Sequence, residues 1–321
     1  MSVTRFWTAI APVLAVVLGV GSASGQQLQA NKPIRIVTSG VGGGTDFVAR
    51  QLAAGLTTNL GQQVLVENRG SSVVPGEIVS KASPDGHTLL ITSGGILWVL
   101  PFFQQVPYDA VKDFAPVALT ATFPAVLAIN GALPVNSTKE FIALAKAKPA
   151  SMNYVMTAEG GSAHLASELF NHMAGVKIMA VGYKNTATAI SDLISGQIQM
   201  FFSAAGPMMP HVKTGRLKVL AVTSAKPSSL VPDVPTVASV VPGYEMEAVY
   251  CLFAPANTPA AIINKLNQEV VKLLNQPDAK SKFLAAGIEP APSTPAELGA
   301  LRKADIARMA KLIKDAGIGA K

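Results

Sequence analysis

The chain has 321 residues, of which 26 are Lys or Arg and 19 are Asp or Glu. This length exceeds what one hydrophobic core usually supports, so two domains are expected. The basic surplus is spread without forming a patch, which argues against a nucleic-acid partner and leaves a mild preference for small anions or an ordinary solvated surface. Cys251 has no partner for an intrachain disulfide and lies in the apolar stretch "AVYCLFAP", where it is expected to be buried.

The first 25 residues have the pattern of an export signal. Arg5 precedes the apolar run "FWTAIAPVLAVVLGV", and Ala23 and Gly25 occupy the two positions that a signal peptidase reads. Residues 1–25 are therefore predicted to be a signal peptide, with Gln26 first in a mature periplasmic protein. No other stretch reaches the roughly 18 apolar residues that a membrane span requires.

Strand-like and helix-like segments alternate along the chain. The first strands are expected at "IRIVTS" (34–39), "QVLVEN" (63–68) and "HTLLITS" (87–93), with a helix over 46–61 that Asp46 caps and Gly61 ends. The same alternation follows in "MNYVMT", "KIMAVGY" and "QIQMFFS", each leading into a helix. It predicts an α/β fold with mainly parallel sheets, in which ligands bind near the carboxyl ends of the strands.

Two extended apolar segments, 114–130 and 244–255, are expected to pass between the domains. The first lobe would then be discontinuous, with residues 26–124 and 249–321 on either side of an inserted second lobe, 125–248. Capping-box residues Thr294 and Glu297 mark the start of the last helix.

The stretch "TSGVGGGTDFVAR" places four glycines before a helix, an arrangement that exposes backbone N–H groups to an anion. No Lys follows, so a P-loop is disfavoured. Gly40 and Gly42 begin a dinucleotide fingerprint, with Glu67 as a possible ribose-binding acid, but Thr45 replaces the third glycine. A tight structural turn accounts for some of the glycines but not easily for all four.

Other helix entries share this chemistry. Gly160, Gly161 and Ser162 precede one helix, which Ser162 can cap, and Ser203 and Gly206 precede another. Three helix N-termini in one cleft would supply N–H donors and positive dipole ends, which suits a carboxylate.

Enzymatic and metal-binding alternatives have weaker support. His164, Glu168 and His172 share a helical face but lack a further zinc ligand, and "GGSAH" is not a nucleophile elbow. Trp98 is either a pocket wall or a core residue. No catalytic group, metal or cofactor is therefore expected.

The chain resembles the Bug-type periplasmic solute-binding proteins of tripartite tricarboxylate transporters. The resemblance rests on the order and spacing of "GGGTDFVARQLA", "VENRG", "ASPDGHTLLITSGG", "NYVMTAEGGSAHLASELF", "VGYKNTATAISDLISGQIQMFFS" and "LFAPANTP". It implies a two-lobed periplasmic binding protein fold with two crossing strands as a hinge. It also implies a monomer that captures a small carboxylate and delivers it to membrane transporter subunits.

In this resemblance, loops 40–46 and 157–163 correspond to the family's carboxylate clamp. The first loop departs from the usual Pro-Gly-Gly by having Gly42-Gly43-Gly44, and "VENRG" continues as "SSVVPGE" where a second glycine-rich stretch is common. The candidate ligand-binding residues are Ser39, Gly42, Gly43, Gly44, Thr45, Asp46, Ser93, Thr157, Gly160, Gly161, Ser162, Ala163, Tyr183, Ser203 and Ala204. The ligand is expected to be an aromatic acid such as terephthalate or a short aliphatic dicarboxylate. A sensor role with a signalling kinase and an exported α/β enzyme are the alternatives.

Overall fold

A computed structural model describes residues 28–29, 31–42, 44–70, 73–156, 161–183 and 186–317. The predicted signal peptide, Gly43, Thr157 and Gly160 lie outside the described residues. No helix among those described is long and apolar enough to cross a bilayer.

The strands and helices alternate as expected. The first half contains β1 (Ile34–Thr38), α1 (Gly44–Leu60), β2 (Val64–Asn68), α2 (Val74–Ser80), β3 (Thr88–Ser93), a π-helical turn (Gly95–Val99) followed by a 3₁₀ turn (Leu100–Phe102), β4 (Phe114–Pro124), β5 (Val126–Asn130), α3 (Thr138–Ala147) and β6 (Asn153–Met156). The second half contains α4 (Ser162–Ala174), β7 (Met179–Gly182), α5 (Thr186–Ser195), β8 (Met200–Ser203), α6 (Ala205–Lys213), β9 (Leu217–Val222), a 3₁₀ turn (Val237–Ser239), β10 (Glu247–Pro255), α7 (Ala260–Leu274), α8 (Pro277–Ala285), β11 (Glu289–Pro290) and α9 (Pro295–Ala316).

These strands form two sheets, which confirms the two-lobed α/β fold. One sheet has the order β11-β4-β10-β3-β1-β2 and the other β7-β6-β8-β5-β9. Parallel pairing joins β1 to β2 and β3, and β6 to β7 and β8. Antiparallel pairs occur at the strands where the chain passes between the sheets. β4 and β10 run side by side in opposite directions, and β5 is antiparallel to both β8 and β9.

The two crossing segments are joined to each other by Thr223. Its backbone N–H donates to the Ala125 carbonyl and its carbonyl accepts from Met246, both at 2.9 Å. Its hydroxyl accepts from the Ala125 N–H, also at 2.9 Å. Ala125 is the single residue between β4 and β5, where the chain leaves the first sheet, and Met246 directly precedes β10, where the chain returns. The hydrogen bonds of Thr223 therefore hold these two points side by side.

Helices cover both faces of the six-stranded sheet. Leu52 and Leu56 of α1 pack with Leu266 of α7 on one face, and Met309 of α9 packs with Trp98 on the other. Trp98 is 1% exposed, and its indole N–H donates to the Asp305 carboxylate at 2.8 Å. Trp98 is therefore a core residue, and Cys251 is fully buried as expected.

Candidate functional site

Three helices of the five-stranded sheet begin around one cavity of about 140 Å³. Ser162 and Thr186 are the first residues of α4 and α5, and Ser203 is the last residue of β8 before α6; all three line this cavity. Phe123 and Ala248 of the crossing strands form part of its apolar wall. None of the described residues that line it carries a charge.

The first turns of α4 and α6 keep their backbone donors free of side-chain caps. Gly161 and Ala204 are the N-cap residues, and neither position has a side-chain capping bond. The prediction that Ser162 caps α4 is thus wrong, because the extended backbone at Gly161, with ψ at 162°, places the cap one residue earlier. Uncapped first-turn N–H groups and the positive ends of the helices make the cavity suited to an anion.

The glycine loop before α1 is bonded differently. The Asp46 carboxylate accepts from the Gly42 N–H at 2.9 Å, from Asn68 at 2.8 Å and from Arg50 at 3.1 Å. Burial alone would raise the pKa of Asp46, but these donors outweigh it and lower that pKa. The helix begins at Gly44, so Asp46 lies within its first turn rather than at the predicted N-cap. Asp46 ties the loop to α1 and β2.

Ser39 and Thr45 also bond to each other, with 2.8 Å between their hydroxyl oxygens. The loop residues Gly40, Val41 and Gly42 are exposed, and Gly42 has a φ of 85°, which favours glycine. The described residues of loop 40–46 do not line the 140 Å³ cavity. The structure thus brings together the candidates Ser162, Ala163, Ser203 and Ala204 and leaves the glycine loop beside β10.

Tyr250 lies between that loop and the crossing strands, and its side chain was not among the predicted site residues. A Cβ added at Gly44 would lie 2.2 Å from the Tyr250 hydroxyl oxygen, so this glycine makes room for the phenol. Tyr250 pairs across the sheet with Ser93. The sequence signal that could have indicated Tyr250 is its hydroxyl group within the otherwise apolar stretch "AVYCLFAP".

Two other candidates have partners within the protein. The Tyr183 hydroxyl donates to Asp192 at 2.7 Å, and burial together with that carboxylate raises the pKa of Tyr183 to about 12. The Ser93 hydroxyl accepts from the Ile96 N–H at 3.3 Å. Ser93 lines a second, larger cavity of about 330 Å³ whose walls include the π-helical turn and α9.

Thr186, the first residue of α5, was not among the predicted site residues, because no glycine marks the start of its helix.

The histidines of α4 make separate contacts. His164 is stacked on Tyr154, Glu168 accepts from the Tyr154 hydroxyl at 2.6 Å, and His172 lies 3.8 Å from Asp315. No group of three or more metal-ligating side chains occurs in the part of the chain that the structure describes.

The model of the tripartite tricarboxylate transporter family receptor matches residues 48–318. The chain belongs to this receptor family. The Bordetella pertussis protein BugT is 30% identical over 99% of each chain. Among solved structures, Rpa4515 of R. palustris with adipate is 33% identical, with a TM-score of 0.75 over 90% of this chain and 99% of that one. MatC of Rhodopseudomonas palustris with bound malate is 28% identical, with a TM-score of 0.68 over 88% and 99%. The receptor is thus a solute-binding protein of the Bug type, and this family consists of receptors rather than enzymes.

Proposed function

We propose that this receptor captures a small organic carboxylate in the cleft between its two sheets, in the periplasm, for a tripartite tricarboxylate-type transporter. One observation carries the proposal: the N-termini of α4, α5 and α6 meet around a cavity whose described lining residues carry no charge. Helix N-termini stabilise anions, and the hydroxyls of Ser162, Thr186 and Ser203 supply further donors. A carboxylate is favoured over a phosphate because no Lys or Arg is among the described lining residues.

The likeness to structures with adipate and malate makes an aliphatic dicarboxylate the first ligand to test. An aromatic acid such as terephthalate is the second, since Phe123 and Ala248 offer an apolar wall beside the helix N-termini. We assign the glycine loop 40–46 to the opposite side of the cleft, with Asp46 as the residue that fixes its shape.

The domain boundaries belong to the same proposal. Residues 26–124 and 249–321 form the first lobe, 125–248 form the second, and the lobes close about residues 123–125 and 248–250. The bonds of Thr223 to Ala125 and Met246 support a hinge at this point. Scattering in solution tests it, because closure on adding ligand reduces the radius of gyration. An unchanged radius at saturation would contradict closure.

Calorimetry of the purified protein with adipate, malate and terephthalate tests the binding function. We expect Ser162→Ala and Thr186→Ala each to weaken binding of the best ligand by about 1 to 2 kcal/mol, because a hydroxyl donor to a charged oxygen is lost. Ser191→Ala is the matched control, since this exposed α5 serine donates to the Ala187 carbonyl and does not line the cavity.

Binding of sugars, amines or nucleotides with no binding of any carboxylate would overturn the proposal. The alternative of a ligand sensor for a signalling kinase keeps the same site and differs only in the partner. Uptake of the labelled ligand by cells with and without this receptor separates the two roles, because a sensor is not required for transport itself.

A further inference from the structure

The cavity of about 330 Å³ lies on the α9 side of the crossing strand β10. Val249 and Cys251 of β10 pack with the cluster that contains α9, whereas Tyr250 and Leu252 pack with α1 and α7 on the opposite face. Because side chains alternate along a strand, Glu247 projects to the α9 side. This cavity and the 140 Å³ cavity meet at their rims, where Ser162 and Met246 line both.

The walls of this cavity are mainly apolar, and their polar side chains are the carboxylates of Glu247 and Asp305 and the hydroxyls of Ser93 and Ser162. Apolar side chains come from the π-helical turn and the residue after it, from α4, from β10 and from α9: Ile96, Val99, Leu100, Leu165, Val249 and Met309. Of the two acids, Asp305 accepts from the Trp98 indole and pairs with Arg308 at 2.6 Å. Within the described parts of the chain, the Glu247 carboxylate has no hydrogen bond and no ion pair.

The positive charge near Glu247 does not offset the effects that disfavour its ionised carboxylate. Burial, followed by the nearby carboxylates of Glu245 and of Glu289 on β11, raises the pKa of Glu247 to about 7, and Arg308 of α9 opposes this only partly. Asp305, which lies on α9 with Arg308, is a second acid and adds no positive charge. A cation beside Glu247 would therefore stabilise its ionised form.

We propose that this cavity binds a small primary amine with an apolar body, its ammonium group on the Glu247 carboxylate and its hydrocarbon against the π-helical turn and α9. The volume lies within the range of small-molecule pockets, and the combination of an unpaired acid with apolar walls is complementary to this class of ligand. The two carboxylates disfavour an anion at the Glu247 end of the cavity, whereas Gly161 and Ser162 place the N-terminus of α4 at the rim shared with the 140 Å³ cavity. The proposal does not depend on the carboxylate function.

Calorimetry with n-hexylamine, and with 1-hexanol as its neutral match, tests the proposal on the whole receptor. We expect hexylamine to bind the parent and to bind Glu247→Gln about tenfold more weakly, since a hydrogen bond between two charged groups is replaced by a weaker one. Asp233→Asn is the control, because this exposed acid neither lines the cavity nor affects the pKa of Glu247. Hexanol binding should be the same in the parent and in Glu247→Gln.

The pH dependence gives a second readout that needs no variant. Hexylamine stays protonated, so its affinity for the parent should rise between about pH 6 and about pH 8 as Glu247 loses its proton. The Glu247→Gln affinity should stay flat over that range. No binding of hexylamine, equal binding by Glu247→Gln, or a parent affinity that does not rise with pH would each overturn the proposal.

Discussion

The glycine loop before α1 and the helix entries of the five-stranded sheet look alike in sequence but differ in how their N–H groups are satisfied. In the loop, the Gly42 N–H already donates to Asp46. At α4 and α6 the N-cap positions are Gly161 and Ala204, which offer no side-chain acceptor to the first turn. Glycine thus occurs both in a turn closed by Asp46 and at a helix N-terminus without a side-chain cap, and the nearby acceptors decide which one forms.

The largest expected effect comes from breaking the closed turn. Asp46→Ala removes the shared acceptor of Gly42, Arg50 and Asn68 and should lower the free energy of unfolding by about 2 to 4 kcal/mol, because three hydrogen bonds to a buried carboxylate are lost. Asp278→Ala is the control, since its exposed pair with Lys282 should contribute less than about 1 kcal/mol. Urea unfolding measures both. Equal losses in the two variants would show that Asp46 does not hold the loop.

Much of this arrangement follows from sequence pattern alone, because alternating strand and helix periodicity sets the order of elements and places the loops at strand ends. The helix entry at Ser162 and the strands beside it were predicted within one or two residues. The structural role of Asp46 could not be predicted in this way, because its partner Asn68 lies on the next strand, β2. The contact of Tyr250 with Gly44 likewise joins distant segments, which local pattern does not encode, and Thr186 was missed because no glycine marks the start of α5.

The second prediction compares two first-turn glycines. Gly44→Ala should lower the free energy of unfolding by about 1 to 3 kcal/mol, because its Cβ would lie 2.2 Å from the Tyr250 hydroxyl oxygen. Gly206→Ala in α6 meets no atom within 4 Å and should be neutral or slightly stabilising. Thermal unfolding of both variants distinguishes them, and a harmless Gly44→Ala would mean that Tyr250 does not pack against the loop.

The smallest expected effect is a dependence on pH that separates the loop from the helix entries. Because the folded-state pKa of Asp46 lies below the ordinary value of 3.8, its stabilisation is present above that pH and is lost as the pH falls through the folded pKa. The parent should therefore lose more stability than Asp46→Asn on acidification. Acid titrations of the two proteins, followed by circular dichroism, test this prediction. Coinciding unfolding curves would contradict it.

Amide chemical shifts on adding the best carboxylate ligand test the central claim most directly. If the open helix entries hold the carboxylate, the N–H signals of Ser162, Ala163 and Gly206 should move most, while Gly42, whose N–H is bonded to Asp46, should move little. Large shifts confined to residues 40–46, with the first turns of α4 and α6 unchanged, would contradict the account.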